Sequence, residues 1–265
     1  MKIISRNINP EQIAQSGQCF RWKQNEDNSY RVIAFNKILD IKNNGSFLEL
    51  SCDENDWNGI WKEYLDYNFN FEQVGKLIHD FNDKHLTESF LLGNGIRILK
   101  QDLWEVIVSF IISQNNNIAR IRKTIESVCA EFHKPVPGSS NEFCFPGPFD
   151  ISPDFFLKDF GLGYRNEYLY RITDYVQNNP NYLNELSAMN YNEAFDSLIN
   201  HKGIGPKVAN CICLFGLHHI GAFPVDTHVK SLINRYYNGT FDYGYFKEYA
   251  GIVQQYLFYY ELKNK

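Results

Sequence analysis

The spacing of hydrophobic positions changes near residue 53 of this 265-residue chain. Before that point, short apolar runs are separated by clusters of Asn, Asp and Gly, the pattern of strands joined by tight turns. Asn43, Asn44 and Gly45 form one such cluster and predict a hairpin turn. Four strands are expected, at 18–24, 29–35, 37–42 and 46–51.

After residue 53 the apolar positions recur every three or four residues, the period of an amphipathic helix. Trp57, Ile60, Trp61, Tyr64 and Leu65, for example, fall on one face. A proline-rich stretch at 134–148 predicts a loop. Further helices are expected at 71–81, 101–113, 118–132, 167–177, 191–200, 206–217, 227–236 and 244–261. The pattern predicts an α+β protein, with a small N-terminal antiparallel sheet followed by a helical body.

The strongest candidate for chemistry is a glycine-rich turn in the last third of the chain. Gly203 and Gly205 flank one apolar residue and predict a tight turn that needs positive φ, after which Pro206 begins a helix. The N-terminus of such a helix directs backbone N–H groups at an anion, usually a phosphate. Lys207 lies in the first helical turn, where the helix dipole disfavours a cation.

A carboxylate, that of Asp226, lies later in the chain at the start of another predicted helix. Taken singly, each feature has an ordinary interpretation: Gly-x-Gly as a turn, Lys207 as a tolerated surface lysine, and Asp226 as an N-cap. In combination, an amine at an unfavourable helix position, a phosphate-binding turn and a carboxylate indicate chemistry on a nucleic acid.

Two polar segments are candidate contacts to a duplex. Three consecutive asparagines begin at Asn115 and are followed by Arg120. Amides can fill the space left by an extruded base, and an arginine can hydrogen-bond the unpaired partner. Tyr164 and Arg165 follow a Gly-Leu-Gly turn, where an aromatic ring can wedge between base pairs while the arginine reads the neighbouring base. The alternatives are a polar interhelical loop and a helix-breaking turn.

Near the C-terminus, Gln254 and Phe258 are four residues apart on one helix face. An amide that reads a base edge and a ring that stacks on the base plane would together form a base pocket. The alternatives are a solvated amide and a core phenylalanine.

The distribution of charge along the chain is compatible with DNA binding but does not by itself indicate it. The net charge is −5, but 91–130 holds five basic against three acidic residues, and 201–235 holds four against one. Six cysteines show no paired spacing, which favours reduced thiols and a cytoplasmic location. The N-terminus has no signal-peptide pattern, and no apolar run approaches the length of a membrane span.

Six motifs, in chain order, resemble the 8-oxoguanine DNA glycosylase family of the helix-hairpin-helix superfamily. They span the chain from Gly17 to Phe258. The motifs are Gly-Gln-x-Phe-Arg-Trp from Gly17, Asn-Asn-Asn-Ile-Ala-Arg ending at Arg120, Gly-Leu-Gly-Tyr-Arg ending at Arg165, the lysine hairpin with Cys-Ile-Cys from Cys211, Pro-Val-Asp-x-His ending at His228, and Tyr-Ala-Gly-x-x-Gln-x-x-x-Phe ending at Phe258.

The resemblance implies a bifunctional DNA repair enzyme that excises 8-oxoguanine, preferably opposite cytosine, and nicks the strand by β-elimination. Lys207 would form a Schiff base with the sugar, and Asp226 would assist. The remaining implied roles fall into two groups. Gly17, Cys211, Gln254 and Phe258 would form the base pocket, and Asn115, Arg120, Tyr164, Arg165, Gly203, Gly205 and His228 would contact DNA.

The same resemblance implies three domains: residues 1–94 with the sheet, 95–112 together with 210–265, and 113–209 ending in the helix-hairpin-helix. It implies a monomer on double-stranded DNA containing oxidised guanine, nucleoid-associated if the source is bacterial. No iron–sulfur cluster or other cofactor is expected, while a monovalent cation at the hairpin carbonyls would be compatible with the family. The motifs depart from the familiar pattern at Gln114, Lys202 and Asn210.

Two alternatives remain open from the residues alone. One is a glycosylase or abasic-site lyase of the same fold that acts on another lesion. The other is a non-catalytic helix-hairpin-helix module that only docks on DNA. Lys207 together with Asp226 argues against the second, because a docking hairpin needs neither.

Overall fold

A computed structural model describes residues 1–264, and its N-terminal part is a five-stranded antiparallel sheet in the order β1-β5-β4-β3-β2. The four predicted strands are present, although the first starts at Trp22 and not at residue 18. The predicted turn at Gly45 (φ +76°) joins the last two. The additional strand, β1, pairs with β5 at the sheet edge. The strands are β1 (Lys2–Ile4), β2 (Trp22–Gln24), β3 (Tyr30–Ala34), β4 (Lys37–Asn43) and β5 (Phe47–Leu50).

One face of the sheet packs on the helical segment that follows it. Val32 lies opposite Leu39, and both are fully buried, as is Trp61 from the helical segment. The Trp22 indole donates a hydrogen bond to the Tyr64 hydroxyl at 2.8 Å across this contact. Alternation of buried and exposed positions along the strands therefore fixes the register against this core.

The rest of the described chain is helical, and none of its helices combines the length and apolar character needed to cross a bilayer. A π-helical turn (Trp57–Trp61) joins α2 to α3, and 3₁₀ turns lie at Pro153–Leu157 and Tyr243–Tyr249. The α-helices are α1 (Pro10–Gln15), α2 (Glu54–Asp56), α3 (Lys62–Tyr64), α4 (Glu72–Phe81), α5 (Lys84–Gly93), α6 (Leu103–Ile112), α7 (Ile118–Phe132), α8 (Arg165–Asn178), α9 (Tyr182–Ala188), α10 (Tyr191–Ile199), α11 (Pro206–Phe215), α12 (Thr227–Tyr236) and α13 (Ala250–Lys263).

The predicted continuous helix at 244–261 is wrong in its first part. A 3₁₀ turn comes first, Lys247 interrupts it with φ +48°, and α13 starts only at Ala250. Close packing fixes where α13 lies, because a Cβ at Gly251 would stand 2.5 Å from the Ala222 carbonyl oxygen. The predicted helices elsewhere are present, and the structure adds the short helices α1, α5 and α9.

Helix α6 forms the centre of the helical body. Eight of its residues are buried, so it is apolar all around, as expected of a helix surrounded by others. It packs against α7, α8 and α11. The C-terminal end of α6 and the N-terminal end of α11 therefore lie together, and this placement builds the candidate site.

A charged cluster around the buried Arg21 joins the start of β2 to α6 and α7. The Arg21 guanidinium lies 4.0 Å from the Glu105 carboxylate and 3.8 Å from that of Glu126, and its side chain is 3% exposed. Burial raises the pKa of Glu105 to about 7, and Arg21 opposes that rise. The folded state therefore holds the Glu105 proton at a pH where the unfolded chain has released it.

Glu105 is expected to make stability fall between about pH 4.5 and pH 7, because its raised pKa favours the protonated form in the folded state only. Glu105→Gln removes this titration. The free energy of unfolding of the variant, relative to wild type, should rise by about 1–3 kcal/mol across that interval. Urea unfolding at a series of pH values checks this, and a constant difference from pH 4.5 to 8 would contradict it.

Candidate active site

The glycine hairpin lies between α10 and α11. Gly203 has φ +95°, and a Cβ there would stand 2.2 Å from Cγ of Tyr168. The predicted positive φ is confirmed at Gly203 but is wrong at Gly205, whose φ of −88° and ψ of 177° are extended. A Cβ at Gly205 would meet nothing within 4 Å. Gly203 is therefore required by the protein's own packing, whereas Gly205 leaves an open surface in front of α11.

The two hairpin glycines are expected to respond differently to alanine. Gly203→Ala forces both a positive φ and a collision with Tyr168, so we expect a loss of more than about 2 kcal/mol of stability. Gly205→Ala should leave the melting temperature nearly unchanged but weaken duplex binding, because the methyl group obstructs approach to the α11 N–H groups. Melting curves and duplex titrations on both variants test this. Equal destabilisation would contradict it.

Lys207 lies in the first turn of α11, half-buried, with its ammonium 5.2 Å from the centre of the Phe110 ring. One helical turn later, the buried Cys211 lines the same cavity as Lys207. Burial raises the pKa of Cys211, and the charge of Lys207 opposes the rise. The amine thus lies beside an aromatic ring and a neutral thiol.

Asp226 caps α12, where its Oδ1 accepts a hydrogen bond from the Val229 N–H at 2.8 Å. Asp226 and Lys207 also line one cleft of about 500 Å³ between the asparagine segment and the N-termini of α11 and α12. The cap uses only one of the two carboxylate oxygens of Asp226. Its position therefore fits both interpretations, as a helix cap and as a partner of Lys207.

The predicted base-pocket residues converge beside these two groups. Gly17, Cys211, Gln254 and Phe258 line a cavity together with Lys207 and Asp226. Its volume is about 30 Å³, enough for about two water molecules and far too small for a purine.

The ring of Phe258 closes this cavity. A Cβ at Gly17 would stand 2.8 Å from Cε1 of Phe258, and Gly17 has φ +74°. Glycine is therefore required at this position on two counts, close approach and backbone conformation. The Phe258 ring must move away from Gly17 before a base can enter.

The Gln254 amide is buried, at 3% exposure, and is held in place. Its Nε2 donates to the Pro224 carbonyl at 3.1 Å, and its Oε1 accepts from Gln255 Nε2 at 3.0 Å. Gln255 thus orients the predicted reading group, and sequence reasoning missed it because two adjacent helical residues do not normally share a site. Phe110 and Phe215 were also missed as walls of the cavity.

Three of the predicted duplex contacts lie at the surface near the cleft. Asn115 (φ +45°) donates from its amide to the Tyr164 hydroxyl at 3.2 Å, and Tyr164 is 48% exposed. Arg120 is exposed and donates to the Gly161 carbonyl at 3.2 Å. His228 lies inside the cleft, with its ring 5.9 Å from that of Phe258. Tyr164 and Arg120 are thus exposed, and Asn115, which contacts Tyr164, lines the cleft.

Arg165 is placed differently from its expected role as a base reader. Its side chain is buried, and its guanidinium donates to the carbonyls of Gln114, Asn115 and Leu162. In this conformation Arg165 holds the asparagine segment to α8, because its donors are aimed at backbone oxygens. A direct contact of Arg165 to a base stays a prediction.

The three departures from the familiar motif have visible roles in packing. Gln114 donates to the Gly203 carbonyl at 3.0 Å and ties the asparagine segment to the hairpin. Lys202 pairs with Glu167 at 2.8 Å. Asn210 accepts from the Tyr191 hydroxyl at 2.9 Å. Gln114 thus stabilises the hairpin from the wall of the cleft, and Lys202 and Asn210 do so from outside it.

Within residues 1–264 all six cysteines are free thiols, and no three His, Cys, Asp or Glu side chains are grouped to hold a metal. Two carbonyls of the hairpin, those of His201 and Gly203, accept hydrogen bonds from Ile204 N–H and Gln114 Nε2. A monovalent cation at the hairpin carbonyls therefore stays a prediction.

Comparison with known proteins identifies the family. Residues 1–107 match the family described as 8-oxoguanine DNA glycosylase, N-terminal domain. The 8-oxoguanine glycosylase/lyase of Clostridium acetobutylicum, solved with duplex DNA that has cytosine opposite 8-oxoguanine, is 32% identical with a TM-score of 0.88, over 97% of this chain and 93% of that one. The chain belongs to the 8-oxoguanine DNA glycosylase/lyase family.

Two further relatives agree. The structure of MBOgg1 in complex with a low-affinity DNA ligand gives a TM-score of 0.89 at 31% identity, over 97% of this chain and 93% of that one. The N-glycosylase/DNA lyase of Saccharomyces cerevisiae is 29% identical over 89% of this chain and 70% of the yeast protein. This member of the family is accordingly a DNA N-glycosylase with lyase activity, and the cleft around Lys207 is its candidate active site.

Proposed function

We propose that this enzyme removes 8-oxoguanine from duplex DNA through a covalent lysine intermediate, with a preference for cytosine opposite the lesion. One observation carries the proposal. Lys207 and Asp226 line the same small cavity as Gly17, Cys211, Gln254 and Phe258. A nucleophile, a carboxylate and a base pocket thus meet at one point, which is what glycosidic bond cleavage on an extruded nucleotide needs.

The first chemical step joins Lys207 to the sugar. The deprotonated amine attacks C1′ with its lone pair, and the bond from C1′ to N9 of the base breaks. The electron pair of that bond leaves with the base, which takes up a proton. Asp226, at the N-terminus of α12, stabilises positive charge developing on the sugar and accepts a proton from the amine.

The second step breaks the strand. Once the sugar ring opens, the nitrogen of Lys207 is joined to C1′ as an iminium ion. The iminium acidifies the C2′ proton, and its removal by a base expels the 3′ phosphate oxygen with its bonding electrons. Water then releases Lys207 from the sugar. These steps need no cofactor, since the lysine supplies the electron sink.

The walls of the pocket support an oxidised purine as the substrate. Cys211, Phe258 and Gln254 all line the cavity. By the family resemblance, Cys211 and Phe258 cover the two faces of the ring once Phe258 has moved, and the Gln254 amide pairs with a base edge. By the family resemblance, the Gly17 carbonyl accepts the N7–H that ordinary guanine lacks. Recognition by one hydrogen bond contributes about 1–3 kcal/mol of discrimination.

A panel of duplexes, each with one defined lesion, tests the lesion assignment. We expect base release to be fastest from 8-oxoguanine opposite cytosine, with undamaged guanine at least about 10²-fold slower. Faster release of another oxidised or alkylated base would move the enzyme to a different substrate while leaving its class unchanged. Absence of release from every duplex would contradict the proposed function.

Arg120 is expected to carry much of the preference for cytosine. An unpaired cytosine presents O2 and N3 as acceptors, whereas adenine presents an N6 donor that no arginine can accept. Arg120→Ala should reduce the rate opposite cytosine by the equivalent of about 1–3 kcal/mol and change the rate opposite adenine less. Single-turnover rates on four duplexes that differ only at this base measure the effect.

Lys123→Ala is the matched control for Arg120→Ala, since Lys123 is an exposed cation on the same helix. It should lower binding to all four duplexes alike. If Arg120→Ala keeps the wild-type preference, Arg120 is not the reader of the opposite base.

A further inference from the structure

A cavity of about 660 Å³ lies away from the active site. It lies between the end of β1, the segment from Asn68 to Glu72, and α5. Its size falls within the range of about 300–1000 Å³ that is typical of sites for small molecules.

A buried arginine without a charged partner faces this cavity. Arg97 is 3% exposed, and its guanidinium donates to three backbone carbonyls, those of Arg6, Asn94 and Ile96. Burial lowers the pKa of Arg97 to about 10. The negative charge of Asp66 opposes this lowering, but the Asp66 carboxylate pairs with Lys100 and His218, each within 4 Å, and not with Arg97. A charge held this way favours an added anion, because burial of an unpaired ion is costly.

A second arginine stands at the same cavity. Arg6 is exposed, and its guanidinium lies over the Tyr67 ring at 4.6 Å, much as that of Arg97 lies over the Phe71 ring at 3.9 Å. Stacking holds both guanidinium planes. Of the five donors on each, three at Arg97 and one at Arg6 are used on backbone carbonyls, and the remaining donors can serve an oxyanion. One carboxylate, that of Glu72, also lines the cavity, at its exposed rim in the first turn of α4.

The other walls suit a flat heterocycle. Phe69 and Phe90 provide aromatic surface, and four asparagine amides, including Asn7 and Asn94, line the same space. Aromatic rings stack on bases, and amides pair with the donors and acceptors of base edges. A simple aromatic acid would leave these amides unused, so the lining favours a nucleotide.

We propose that this cavity binds a nucleoside monophosphate, with its phosphate between Arg6 and Arg97 and its base against Phe69 and Phe90. The site is separate from the active site, because α13 lies between them. Tyr256 packs on Phe90 on one side of α13, whereas Gln254 and Phe258 line the active-site cavity on the other.

Calorimetric titration with deoxyguanosine monophosphate tests the proposal. The protein is first saturated with a duplex carrying a tetrahydrofuran abasic analogue, so that the active site is occupied. We expect one equivalent of nucleotide to bind. Deoxyguanosine alone and inorganic phosphate alone should each bind at least about tenfold more weakly, because each lacks one half of the recognised group.

Arg6→Gln and Arg97→Lys should both weaken this binding by at least about tenfold, the effect of one lost charge-assisted contact. Arg6 is exposed, so its variant stays informative even where Arg97→Lys impairs folding. Arg31→Gln removes a charge elsewhere on the sheet and is the matched control. Absence of binding, wild-type binding by Arg6→Gln, or equal binding of phosphate alone would overturn the proposal.

Discussion

Lys207→Gln is expected to abolish covalent trapping and lower the rate of base excision by at least about 10³-fold, since the variant has no nucleophile. Glutamine keeps most of the side-chain volume against Phe110, from whose ring centre the lysine amine lies 5.2 Å. The fold should therefore persist, and lesion binding should remain close to wild type because the pocket residues are unchanged. Single-turnover excision and duplex titration separate these two effects.

Lys202→Gln is the matched control for this experiment. Lys202 stands five positions earlier in the same hairpin, half-exposed and paired with Glu167 at 2.8 Å. The control should lose a little stability, within about 1 kcal/mol, and keep its excision rate. A variant at Lys207 that excises at the wild-type rate would remove this lysine from the chemistry.

Asp226→Asn is expected to slow excision by about 10²-fold or more, with a change in stability below about 1 kcal/mol. Asn and Asp cap helices almost equally well, so the hydrogen bond from Val229 N–H can survive. The lost charge removes proton transfer and stabilisation of the developing cation on the sugar. The comparison of melting curves with single-turnover rates distinguishes a catalytic from a capping role.

Asp102→Asn provides the control with the same chemistry at a distance from the cleft. Asp102 caps α6 by accepting from Glu105 N–H at 2.8 Å, the same distance as at Asp226. The melting temperatures of both variants should differ from that of wild type by similar amounts, and only Asp226→Asn should lose activity. A slow Asp102→Asn enzyme, or a fully active Asp226→Asn enzyme, would mean that Asp226 serves the helix alone.

Much of the fold could be predicted from local pattern, where sequence period and burial agree. Strands β2 to β5 and the apolar face of α11 followed this rule. Strand β1 could not, because three residues carry too little pattern and pairing with β5 decides their conformation. The interruption at Lys247 also lacked a signal, since no proline or adjacent glycine marks it and close packing at Gly251 fixes where α13 lies.

The site was predicted chiefly from motif resemblance, which brought Gly17 and Phe258 together across almost the whole chain. Local physics alone could not have paired them, because their contact depends on how α1 and α13 pack. The burial of Arg165 against backbone carbonyls could not be predicted for a different reason. An arginine's charge suggests exposure, but the carbonyls of a neighbouring loop can satisfy its donors, and a sequence does not show where those carbonyls point.

The closure of the base cavity by Phe258 could not be predicted from the sequence either. The motif indicates which residues form the pocket, but whether Phe258 lies over Gly17 is a matter of side-chain conformation. Entry of a purine must displace that ring, so substrate binding includes a local rearrangement.

The central claim is that Lys207 attacks the sugar of an extruded 8-oxoguanine nucleotide. The most direct measurement is to trap the protein with borohydride on a duplex carrying 8-oxoguanine opposite cytosine, digest the product, and locate the adduct by mass spectrometry. The account predicts one adduct, on Lys207. An adduct on Lys202 or Lys230, or base release with no adduct at all, would contradict it.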